Sequence, residues 1–205
     1  MSFSLATEIG ILEANVNHLR GRFISRFLPA DPATPPSDYE LDVKAFCVLS
    51  HAQIEEFIET LALKAMAHSH NEWMSNKRLT APIVSVAIQL KLAKQIDVEK
   101  KDIETVYSLL LETFDQAKRS FSHEIFSNHG ISIKYLKNIV LRLGIDLPQD
   151  PNLLNSLEQL SKARGEYAHH GRTRTILSPE DANQYVADCL RICKKVQENT
   201  EKTLK

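Results

Sequence analysis

Residues 44–66 read Lys44-Ala-Phe46-Cys47-Val-Leu49-Ser-His51-Ala-Gln-Ile54-Glu55-Glu-Phe57-Ile58-Glu-Thr-Leu61-Ala-Leu-Lys-Ala65-Met66, and their apolar members recur at intervals of three and four. That is the helical period. Phe46, Leu49, Ile54, Phe57, Ile58, Leu61 and Ala65 cover more than one side of such a helix, which predicts a central position in a bundle. Ser37 and Glu40 have capping-box spacing, so this helix is expected from Ser37 to about Ala67.

The same period extends outward in both directions. Before it, Ile9, Leu12, Val16, Leu19, Phe23 and Phe27 form one stripe, stopped by Pro29, Pro32, Pro35 and Pro36. After it, helices are expected from about Thr80 to Lys94 and from about Val98 to Phe121. The second of these carries Ile103, Val106, Leu110, Phe114, Ala117 and Phe121. A loop then covers Ser122 to Gly130, and a shorter helix runs from about Ile131 to Leu143, closed by Gly144. Asp150 and Pro151 open a sixth helix, with Asp as N-cap and Pro at the first helical position. Ser178-Pro179 opens the last in the same way, followed by Ala182, Val186, Cys189, Cys193, Val196 and Thr200. There are no strand-like segments, repeats or low-complexity tracts. The expectation is an all-α bundle of about six to seven helices, one domain over residues 1–205.

Composition narrows the function classes. The 205 residues are enough for one well-filled core. A net charge of -1 gives no global basic field, so any anion site must be local. The three cysteines lack metal or redox spacing and suit a reducing, cytoplasmic setting. No apolar run is long enough for a membrane span. Phosphate-loop, dinucleotide and serine-hydrolase motifs are missing, so those chemistries have no foothold. His68 and His70, near His51, lack a carboxylate at ligand spacing, as do His123 and His129; neither a metal nor another cofactor is expected.

The chemistry-bearing segment is Lys162-Ala-Arg164-Gly165-Glu166-Tyr167-Ala-His169-His170-Gly171-Arg172-Thr-Arg174. Arg164 stands seven residues after Leu157, within about 20° of it on an ideal helix. A guanidinium on a leucine stripe needs an anion, a groove or a partner, or it snorkels past the core. His169 falls about 120° around from Leu157 on a regular helix. Gly165 and Gly171 let the last turn bend or unwind and bring His169 towards Arg164. Alternatively, His169 stabilises the helix C-terminus. Glu166 and His170 have the spacing of a surface ion pair. Tyr167 either fills the core or stacks on a base.

Arg164-Gly-Glu-Tyr-Ala-His169 resembles the hallmark of the HEPN superfamily, an Arg followed after four to six residues by a His near the end of a late helix. The phrase is particularly similar to the RiboL-PSP-type branch, as is Lys44–Glu55 on the central helix. Here Gly165 follows the Arg, where many members have a polar residue. The resemblance implies a metal-independent endoribonuclease, dimeric, with two such motifs facing one cleft. It implies His169 as general acid/base and Arg164 as phosphate clamp, with Glu166, Tyr167, His170 and Glu55 as further catalytic or orienting candidates. Lys162, Arg172 and Arg174 would track RNA. It further implies a toxin or anti-phage effector with an antitoxin or sensor partner. The alternative is a catalytically silent RNA- or protein-binding module.

Overall fold

The computed structural model describes residues 6–90, 103–127, 130–169 and 176–205. Among them are seven α-helices: α1 (Ala6–Phe23), α2 (Glu40–Asn76), α3 (Ala81–Gln89), α4 (Ile103–Ser127), α5 (Ile133–Ile139), α6 (Pro151–His169) and α7 (Pro179–Thr203). No strand occurs among the described residues. The all-α expectation holds.

The central position expected for α2 also holds: it packs against α1, α3, α4, α6 and α7. Its buried residues run from Val43 through Phe46, Cys47, His51, Ile54, Phe57, Ile58 and Leu61 to Trp73. A fully buried side chain such as Phe46 or Ile58 contributes about 1.5–3 kcal/mol. Two boundaries differ from the sequence reading. The helix starts at Glu40 after a short 3-10 turn over Pro36–Asp38, and Ser37 Oγ donates to Asp38 Oδ1 instead of capping α2. At the other end it continues nine residues past Ala67, because neither Gly nor Pro interrupts it and Trp73 reaches the core against Phe114 of α4. The helix stops at Lys77, whose φ of 56° is left-handed. Leu49, expected in the core, is 42% exposed.

α4 likewise outruns its expected end at Phe121. Ile125 extends its stripe by another turn and is 1% exposed, so Ser122–Ser127 is helix, not loop. Residues beyond Leu90 in the third expected helix, and the expected start of the fourth at Val98, lie outside the described residues.

The turn chemistry read from sequence recurs at three places. Gly144 closes the α5 region with φ 70°. Asp150 Oδ1 accepts the Asn152 amide at 2.9 Å at the start of α6. Ser178 Oγ accepts the Asp181 amide at 3.0 Å at the start of α7. Each satisfies a backbone donor or carbonyl that a helix end leaves free.

α6 and α7 pack closely on one another and on α2. Between them lies Asp188, 6% exposed, which accepts hydrogen bonds from Ser156 Oγ (2.7 Å), Gln184 Nε2 (2.9 Å) and Arg191 Nη1 (3.1 Å). A buried carboxylate is tolerable only with such partners. Cys47, Cys189 and Cys193 are buried free thiols, and burial pushes their ionisation well up. No described helix is long and apolar enough to cross a membrane.

Candidate functional site at the end of α6

Leu157 and Leu160 set the buried stripe of α6, at 1% and 0% exposure. Arg164 takes the next place on that stripe and is half-buried. Its neighbourhood is α2, where its charge acts on His51. Arg164 thus continues the leucine stripe of α6, half-buried, with its charge acting on a polar side chain of the central helix.

His51 is itself 1% exposed, on the stripe that carries Cys47 and Ile54. Burial first, and Arg164 second, push its imidazole down to about 4, so it is neutral at neutral pH. Its Nδ1 stands 3.6 Å from Glu55 Oε2. The same carboxylate accepts the backbone amide of Gly130. One turn further along α2, Glu59 accepts the Tyr135 hydroxyl at 2.6 Å. Glu55 and Glu59 therefore fasten the approach to α5 onto α2, beside the His51 layer. Glu55 thus lies beside His51 and at the amide of Gly130.

α6 is helical without a break through Gly165 to His169. The expectation that Gly165 lets the last turn unwind is not met. One glycine costs a helix about 1 kcal/mol, less than anchored neighbouring turns can absorb. Five residues of continuous helix place positions 164 and 169 about 140° apart around the axis. Within one chain, the two motif positions therefore lie on different sides of α6. His170, Arg172 and Arg174 lie outside the described residues.

Tyr167 packs partly into the core. Its hydroxyl is buried beside Cys47 and the Leu177 backbone, and burial pushes its ionisation up to about 12. Lys44 Nζ lies 5.7 Å from the ring centroid, and Lys44 also pairs with Glu40. The tyrosine is thus a neutral wall held from behind. Lys162 is exposed and Glu166 half-exposed. With Gln159, Ala163, Tyr167 and Leu177 they line a cleft of about 120 Å³.

Among the described residues, no group of three or more His, Cys, Asp or Glu side chains is placed to hold a metal ion. His70, one of the histidines weighed for that purpose, instead donates from Nε2 to Asp115 Oδ1 at 2.5 Å.

The roles of two residues named from the sequence, and one cleft, become visible only in the structure. His51 was legible as a histidine in register with Cys47 and Ile54, which marks a core position. Lys44 behind Tyr167 and the Gln159–Leu177 cleft depend on helix pairing, which no local spacing encodes.

A family model described as RiboL-PSP-HEPN matches residues 22–202. Neither a curated protein nor a solved structure matches the chain.

Proposed function

The chain belongs to the RiboL-PSP-HEPN family, and from that membership we propose that it is a metal-independent endoribonuclease. The observation that carries the proposal is a half-buried guanidinium, Arg164, on the buried stripe of α6, whose charge acts on a buried His51, followed five residues later by His169 in the final helical turn. In this mechanism the ribose 2′-hydroxyl attacks the adjacent phosphorus and the bond to the 5′-oxygen breaks. The products are a 2′,3′-cyclic phosphate and a 5′-hydroxyl. Histidine exchanges protons near neutral pH, so His169 removes the 2′ proton or delivers one to the leaving 5′-oxygen. Arg164, always charged, stabilises the extra negative charge at phosphorus.

A dimer completes the site. Continuous helix separates positions 164 and 169 around the axis, so a second copy supplies a His169 opposite the first copy's Arg164. Arg172 and Arg174, with Lys162, hold the RNA backbone. Such a nuclease serves as a toxin or anti-phage effector in the cytoplasm, restrained by an antitoxin or triggered by a sensor protein.

One observation favours a second reading. The charge of Arg164 acts on the buried His51 of its own chain, as that of a structural arginine would in a catalytically silent RNA- or protein-binding module.

Cleavage of a mixed RNA pool by the wild type, Arg164→Ala and His169→Ala separates the two. The nuclease proposal expects each folded variant to lose activity by at least about 100-fold. An equimolar mixture of the two variants should recover part of it through exchanged subunits. RNA binding without cleavage, unchanged in His169→Ala, would establish the module instead.

A further inference from the structure

The cleft on the outer side of α6 has a chemistry that the cleavage step does not use. Gln159, Lys162, Ala163 and Glu166 recur at the helical period, so one face of α6 forms its floor and rim, with Tyr167 and Leu177 as apolar walls. Its volume of about 120 Å³ matches roughly four water molecules at about 30 Å³ each, the scale of one planar heterocycle. Tyr167 offers a ring that packs partly against the core, with Lys44 Nζ 5.7 Å from its centroid. Bases stack on such rings.

Around that ring stand one carboxylate, one amide and one ammonium. We propose that this cleft, defined by Gln159, Lys162, Glu166 and Tyr167, binds a guanine base of the RNA next to the cleaved phosphate. This rests on the nuclease reading above. The match is one of donors and acceptors. Guanine presents two neighbouring N–H donors, at N1 and N2, which the two oxygens of Glu166 can accept together. Its O6 and N7 are acceptors, suited to the Gln159 amide and the Lys162 ammonium. Adenine presents an acceptor at N1 that would confront the carboxylate, and uracil offers a single donor between two acceptors. A base that cannot pair with these groups forgoes their hydrogen bonds and binds less well.

Glu166 precedes position 169 by three residues, so the cleft adjoins the position-169 side of α6 and an occupant fixes which phosphate reaches it. Free guanine nucleotides carry the same base, and the test separates the two sources. The full chain is titrated calorimetrically with GMP, AMP, CMP and UMP. It is also titrated with uncleavable 2′-O-methyl pentanucleotides bearing one G or one A among uridines. The wild type should bind the G pentamer at least about tenfold tighter than the A pentamer, and tighter than GMP. Glu166→Gln should erase that preference, Gln159→Ala should weaken it and Tyr167→Phe should retain it, each with wild-type circular dichroism. Equal binding of G and A pentamers by the wild type overturns the proposal, as does an intact preference in Glu166→Gln. Equal affinity for GMP and the G pentamer overturns the RNA assignment in favour of a free nucleotide. Cleavage without base preference removes the guanine site and leaves the nuclease standing; guanine preference without cleavage does the reverse.

Discussion

Acidification should destabilise this fold through His51, by an amount the structure allows to be worked out. The imidazole is buried on α2, and burial and Arg164 push it from about 6.5 to about 4. Glu55, 3.6 Å from Nδ1, favours the charged form but is outweighed. A folded value below the unfolded one means that the unfolded chain takes up the proton first. The stabilisation is therefore fully present above about pH 6.5 and is lost as pH falls towards 4. Integrating the two titration curves gives a loss of about 2 kcal/mol at pH 5 relative to pH 8, with a limit near 3 kcal/mol. The assay is urea unfolding at pH 8 and pH 5 for the wild type, His51→Asn and Arg164→Gln. Other titrating groups are common to all three, so the difference in slope isolates His51. His51→Asn should show a pH-dependent loss smaller than the wild type's by about 2 kcal/mol. Arg164→Gln removes the neighbouring charge and should give an intermediate loss. Identical pH dependence in wild type and His51→Asn would refute the buried neutral histidine. Identical behaviour of Arg164→Gln and the wild type would refute the placement of Arg164 against it.

Three further outcomes test how α6 and its neighbours are held. Asp188→Ala orphans Ser156, Gln184 and Arg191 at the α6–α7 contact and should cost about 2–4 kcal/mol by urea denaturation, against less than about 0.5 kcal/mol for an incidental surface acid. Ser178→Ala removes the acceptor for the Asp181 amide and should cost about 1 kcal/mol, with Ser178→Asp near wild type. Gly144→Ala places a side chain at φ 70° and should lower thermal stability by about 1 kcal/mol, since the nearest atom to an added Cβ, Ala81 Cβ, is an ordinary contact at 3.7 Å.

What the sequence revealed and what it hid divide along a physical line. Helix type, order and the caps at Gly144, Asp150 and Ser178 were legible because period and end chemistry are local properties. The position of Arg164 was legible because seven residues nearly close two helical turns, so Leu157 predicts where residue 164 points. The far end of α2 was hidden: a helix expected to stop near Ala67 runs on, with Ser69 and His70 buried and His70 bonded to Asp115. That partner is on another helix, and spacing cannot announce it. The course of α6 past Gly165 was misjudged for a related reason. An intrinsic helix penalty of about 1 kcal/mol is small beside the packing of α6 on α2 and α7. The Tyr167 cleft needed Leu177, ten residues on and outside α6, to become visible.

The central claim is that Arg164 and His169 cleave RNA without a metal, by attack of the 2′-hydroxyl. The most direct measurement is end-group analysis of RNA incubated with the wild type in EDTA. The account predicts 2′,3′-cyclic phosphate and 5′-hydroxyl ends at a rate unchanged by the chelator. Products with 5′-phosphate ends, or cleavage that stops in EDTA, would contradict it.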